Sequence, residues 1–74
     1  MKEIHFPVYR KLSNGLNLYE ILSHDEFIEI QFIGNKKRIE KFKAFRYPEK
    51  LKIKDMLNLN GYELITKKEF KSHL

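Results

Sequence analysis

Asn14-Gly15 lies between two short runs in which apolar and polar residues alternate, and this arrangement constrains the chain more than any other feature of it. A two-residue type I′ turn needs φ > 0 at both central positions, which Asn-Gly tolerates best, so a β-hairpin is predicted. Centring the turn on 14 and 15 sets Val8 opposite Ile21, Arg10 opposite Tyr19 and Leu12 opposite Asn17 on one face. Tyr9 opposite Glu20 and Lys11 opposite Leu18 then fall on the other. The face with Val8, Leu12, Tyr19 and Ile21 is expected to be the core.

The hairpin predicts further strands. From about Glu26 to Ile33, Ile28, Ile30 and Phe32 alternate with Glu29 and Gln31 at the period of a half-buried strand. Gly34-Asn35-Lys36 then turns the chain. In the segment 38–47, Ile39, Phe42 and Phe45 fall at a spacing of three, which a helix also allows. Its aromatic content and the preceding turn favour a fourth strand. Tyr47-Pro48 should end that element and open a helix between about residues 50 and 60, with Ile53, Met56, Leu57 and Asn60 on one side and Asn60-Gly61 as its left-handed stop. Residues 62–65 can add a short edge strand. Thr66-Lys67-Lys68-Glu69 matches a capping box before Phe70, so a short C-terminal helix should close the fold.

The predicted class is therefore α+β: a small antiparallel sheet of four to five strands with a middle helix and a short C-terminal helix, one domain over residues 1–74. The two helices are expected on one face. Apolar groups such as Leu18, Phe27 and Ile33 would then be left on the other and would favour a protein partner or a homodimer.

Composition limits what such a domain can do. With 74 residues it buries only about 60% of the surface of its unfolded chain. Without cysteine it has neither disulfide nor thiolate metal site to supplement the core. Hydrophobic residues at 42% and aromatics at 14% are globular values. The stretch from Met1 to Pro7 lacks a signal-peptide apolar core and no run reaches the ~20 residues of a membrane span, so a cytoplasmic, membrane-free protein is expected.

The motifs that could carry chemistry read as structural. Ser23-His24-Asp25 has the letters of a catalytic triad, but adjacent side chains point apart, and a polar turn explains them. His5, His24 and His73 are widely separated, and Asp25, Glu26 and Glu29 lack the pattern of a calcium loop, so no metal is expected. The three glycines make no phosphate-binding loop, so no cofactor is expected either. The chain reads as a binding module and not an enzyme.

Charge is the feature that stands out. Residues 1–35 carry three Lys/Arg against five Asp/Glu, a net −2; residues 36–54 carry nine against two, a net +7; residues 55–74 are balanced. The basic segment contains Lys36, Lys37, Arg38, Lys41, Lys43, Arg46, Lys50, Lys52 and Lys54, interleaved with Phe42, Phe45 and Tyr47. Cations neutralise phosphates and exposed rings stack on bases, so these residues are candidates for nucleic-acid binding. The competing readings are a lysine-rich solvated face whose rings point inward, or a dock for an acidic partner.

Two resemblances add little chemistry. Ile53-Lys54-Asp55-Met56-Leu57, Gly61-Tyr62-Glu63-Leu64-Ile65 and Lys71-Ser72-His73 resemble the opening of HicA-type mRNA interferase toxins, small basic domains similar to double-stranded-RNA-binding ones. In that family a Gly precedes the Ser-His and strands follow it. Here Phe70-Lys71 precede Ser72-His73 and the chain ends at Leu74, so no catalytic role passes to His73. Over most of its length the chain also resembles a group of small bacterial proteins without an assigned function, through Phe6-Pro7, Tyr9-Arg10-Lys11, Ser13-Asn14-Gly15, Glu26-Phe27, Phe42-Lys43-Ala44, Asp55-Met56-Leu57 and Glu69-Phe70. A protein interaction is thus the first functional expectation and nucleic-acid binding the second.

Overall fold

The computed structural model describes residues 4–74; Met1, Lys2 and Glu3 of the N-terminal stretch lie outside them. The hairpin forms from β1 (Val8–Leu12) and β2 (Asn17–Ser23), paired in the expected register from Val8 with Ile21 to Lys11 with Leu18. Its turn differs in type. Gly15 has φ 77°, but Asn14 is not left-handed, since Leu59 is the one non-glycine among the described residues with positive φ. The Gly15 N–H bonds the Leu12 carbonyl at 2.8 Å and the Asn14 side chain accepts from the Leu16 N–H at 2.8 Å. The turn thus spans residues 12–15, with Gly15 as its left-handed last residue, inside a four-residue loop that leaves the register unchanged.

β3 (Glu26–Ile33) and β4 (Lys36–Lys43) continue the antiparallel meander, and β5 (Tyr62–Leu64) pairs with β1. The strand order is β4-β3-β2-β1-β5, which makes β4 a long edge and β5 a short one. The fourth strand is therefore confirmed, but it stops before Phe45. The Ala44 N–H adds one more bond in the same register, to the Asp25 carbonyl at 2.6 Å; the Phe45 N–H then turns back to the Lys43 carbonyl at 3.2 Å, and residues 44–46 link β4 to α1 (Tyr47–Leu57).

Pro48 occupies the first turn of α1, and Glu49 near its start and Lys54 near its end suit the helix dipole. The helix stops earlier than Asn60-Gly61 suggests. Leu59 takes φ 58°, with its N–H on the Met56 carbonyl at 3.3 Å and the Asn60 N–H on the Asp55 carbonyl at 2.8 Å, the two bonds of a Schellman motif. In α2 (Lys67–Lys71) the Thr66 hydroxyl caps the Glu69 N–H at 3.0 Å, as the capping box predicts.

The helices do not share a face. Tyr19, Ile21 and Phe27 meet Ala44 and the Ile53 and Met56 side chains of α1, with Val8, Leu12 and Phe42 around them. Tyr9, Leu18 and Ile30 meet Phe70 of α2, with Ile28, Phe32 and Ile65 around them. The expectation of an open face is thus corrected: Phe27 and Leu18, only 2% and 3% exposed, lie on opposite faces of the sheet, each under its own helix, and of that group Ile33 alone is exposed. The physical reason lies in β3, where the odd residue Phe27 pairs with Ile21 and the even residue Ile30 with Leu18, so both faces of the strand carry apolar groups that need cover.

Candidate functional site

The nine cations of the basic segment fall into three sets. Lys52 is structural: its ammonium lies 3.6 Å from the Glu29 carboxylate and 5.0 Å from the centre of the Tyr19 ring. Arg38 pairs with Glu40, and Lys41 lies 3.4 Å from Glu26. Lys36, Lys37, Lys43, Arg46, Lys50 and Lys54 make no ion pair with another described residue. Lys36 and Lys37 open β4, about 20 Å along the strand from Lys43, where charge on an edge strand discourages pairing with another sheet. The segment is therefore not one patch. Four of its six unpaired cations, Lys43, Arg46, Lys50 and Lys54, run from the β4–α1 junction along α1.

The aromatic rings divide in the same way. Phe42 stacks on Phe27 at 5.1 Å between ring centres and belongs to the core. Phe45 and Tyr47 are 80% and 75% exposed. The reversal is local: the Ala44 methyl is buried, and the Phe45 N–H bonds the Lys43 carbonyl at 3.2 Å in a three-residue turn that ends the ladder. The inward-pointing reading of the rings therefore holds for Phe42 and fails for Phe45 and Tyr47. Leu51, one helical turn beyond Tyr47, is exposed as well.

Beside the junction an open groove of about 380 Å³ runs between α1 and the β2–β3 turn. It is lined by Ile4, His24, Lys50, Ile53, Lys54, Leu57 and Asn58. The Ala44–Asp25 bond ties this turn to the segment that leads into the helix. Within the turn, the Ser23 hydroxyl bonds the Asp25 carboxylate at 2.6 Å and His24 sits edge-on to Phe6 at 5.0 Å. Ser23, His24 and Asp25 thus form a locally bonded turn, as expected. Ile4, His24 and Asn58 were not candidates in the sequence, where nothing but a tertiary contact relates positions so far apart.

The two buried charged residues hold the fold, whereas Glu49, at the start of α1, has one carboxylate oxygen buried without a partner. Glu20 and Glu29 are 6% and 4% exposed. Glu20 accepts from the Tyr9 hydroxyl at 2.8 Å and lies 3.6 Å from Lys71. Burial, and then the bond to and charge of Glu20, push the Tyr9 phenol up to about 12. Glu29 accepts from Gln31 at 2.8 Å and Asn17 at 3.0 Å. Burial pushes its carboxyl up, but the Tyr19 hydroxyl, Gln31, Lys52 and Asn17 together outweigh burial and hold it below the usual carboxylate range. Burial, with Glu29 beside it, raises Tyr19 in turn. Burial lowers Arg10, whose guanidinium donates to the Met56 carbonyl at the end of α1 at 2.9 Å.

Among the described residues no three His, Cys, Asp or Glu side chains gather as a metal site, and no helix is long and apolar enough to cross a membrane. No family model, curated protein or solved structure matches the chain.

Proposed function

We propose that this chain is a non-catalytic module that binds single-stranded nucleic acid at the β4–α1 junction. The exposure of Phe45 and Tyr47 among unpaired cations carries the reading. A large apolar ring held in water is costly unless it has a partner, and every base offers a face on which to stack. Lys43, Arg46 and Lys50 lie within three residues of one of these rings in the chain and Lys54 two helical turns beyond Tyr47, and they supply charge suited to phosphates. The protein-interaction reading rested on an uncovered sheet face, and burial of Leu18 and Phe27 removes that ground. The absence of cysteine suits a cytoplasmic setting.

Fluorescence anisotropy with mixed-sequence single-stranded RNA and DNA tests the proposal. At about 50 mM salt and micromolar protein, binding is expected with a log-log salt slope near −3, from about 0.7 per phosphate over four cations. Tyr47→Ala should weaken binding by about 1–3 kcal/mol while leaving the denaturation midpoint almost unchanged. If neither nucleic acid binds, the proposal is wrong and the surface reads as a dock for an acidic protein.

A further inference from the structure

The groove beside α1 has a size, a lining and a position that the stacking rings alone do not explain. Its volume of about 380 Å³ falls within the range of small-ligand sites. Ile53 and Leu57 give it apolar walls, His24 and Asn58 contribute hydrogen-bonding groups, and Lys50 and Lys54 contribute charge. Lys50 and Lys54 stand three and seven residues beyond Tyr47, on the same side of the helix. The stacking platform, the two ammonium groups and the groove thus follow one another along α1, within about 10 Å of helix length.

Resting on the nucleic-acid reading, we propose that the groove is a seat for one unpaired nucleobase, neighbouring the base stacked on Tyr47. Lys50 and Lys54 hold the phosphates between the two positions. The apolar walls take the faces of the base, and the imidazole of His24 and the carboxamide of Asn58 bond its edge. A base within a duplex has its pairing edge occupied and its faces stacked, so this seat selects single strands, loops or ends over paired helices. It also provides what a platform of two rings lacks, since stacking tolerates every base whereas edge bonding distinguishes them.

The test compares six-nucleotide homopolymers of A, C, G and U, and a duplex of the same length, by fluorescence anisotropy against the native chain and a His24→Ala/Asn58→Ala variant. The native chain should prefer one homopolymer by about tenfold and bind the duplex more weakly. The double variant should bind all four alike, with an unchanged salt slope because Lys50 and Lys54 remain. A double variant that keeps both the affinity and the preference overturns the base seat and leaves nucleic-acid binding standing. If no oligonucleotide binds the native chain, both fall. Chemical-shift mapping on the native protein makes the test independent of how the variant folds: the preferred oligonucleotide must move the His24 and Asn58 resonances as well as those of Tyr47, and movement confined to Tyr47 refutes the seat.

Discussion

The two faces of the sheet solve one problem with unequal means. On each, a buried glutamate stands directly across the strand ladder from a tyrosine, Glu20 from Tyr9 and Glu29 from Tyr19, and a lysine of the covering helix reaches it, Lys71 from α2 and Lys52 from α1. The α1 face adds to this an eleven-residue helix with two buried side chains, Ile53 and Met56, and a hydrogen bond from Arg10 to the helix end. The α2 face is closed by five residues and a single fully buried ring, Phe70. So short a helix has little stability of its own, and its place on the sheet depends on that ring, on the Lys71 contact, on Ile65 before it and on His73 after it, which meets Phe32 edge-on at 5.1 Å. The proposed binding surface falls on the side with the longer helix, where α1 carries Tyr47, Lys50 and Lys54 while Ile53 and Met56 hold it from beneath.

The sharpest test of this asymmetry removes one anchor from each face. Phe70→Ala should cost about 3–5 kcal/mol, a large share of what a domain of this size possesses, whereas Ile53→Ala, with Met56 still in place, should cost about 2 kcal/mol. Urea denaturation measures both. Equal losses would mean that the remaining contacts of α2 hold it as well as Met56 holds α1.

Acid tests the Glu29 carboxyl of the α1 face, whereas alkali tests both faces, because the Tyr19 phenol is raised as well as that of Tyr9. The folded protein holds the Glu29 carboxyl below its unfolded value near 4.3, so the stabilisation is present above that pH and disappears as pH falls through the folded value. On the α2 face the Tyr9 phenol lies above its unfolded value near 10, so its contribution is present below pH 10 and is lost between there and about 12. Glu29→Gln should flatten the acid limb of the stability profile and Tyr9→Phe the alkaline limb. Tyr9→Phe should also lose about 1.5–3 kcal/mol at neutral pH, the usual worth of a hydrogen bond to a charged group. Melting temperatures recorded from pH 2 to 12 show whether each substitution acts on its own limb.

Gly15→Val loads both faces at once, because the hairpin it strains contributes Tyr9 and Leu18 to one core and Tyr19 and Ile21 to the other. The position is sterically open but has φ 77°, so the penalty is backbone strain of about 1–2 kcal/mol. An unchanged denaturation midpoint would mean that this turn does not set the register. The smallest effect belongs to the end of α1. Leu59 holds a left-handed conformation that glycine adopts without strain, and Leu59→Gly should stabilise the protein by about 0.5–1 kcal/mol, after the entropy of the more flexible residue is deducted. A gain in midpoint with no change in oligonucleotide affinity would confirm that this strain is separate from the binding side of the helix.

Local patterns in the sequence determined the strands, the hairpin register, the two helices and the cap at Thr66, because each follows from the spacing and conformational preferences of neighbouring residues. The pairing of Tyr9 with Glu20 was legible for the same reason: once a turn is placed, register is a matter of counting. The turn type was not, since several loops close a hairpin in one register. Nor was the placement of the helices. Alternation shows that β3 has two faces but not which face each helix will cover, and that is decided where α1 and α2 can pack most apolar surface. The candidate site divides along the same line. The +7 segment and its rings were visible as composition, but whether Phe45 faced water depended on where the β3–β4 ladder ends, at the turn between Lys43 and Phe45. The groove joins Ile4, His24 and Asn58, positions that acquire a common chemistry only when the sheet brings the β2–β3 turn to the side of α1.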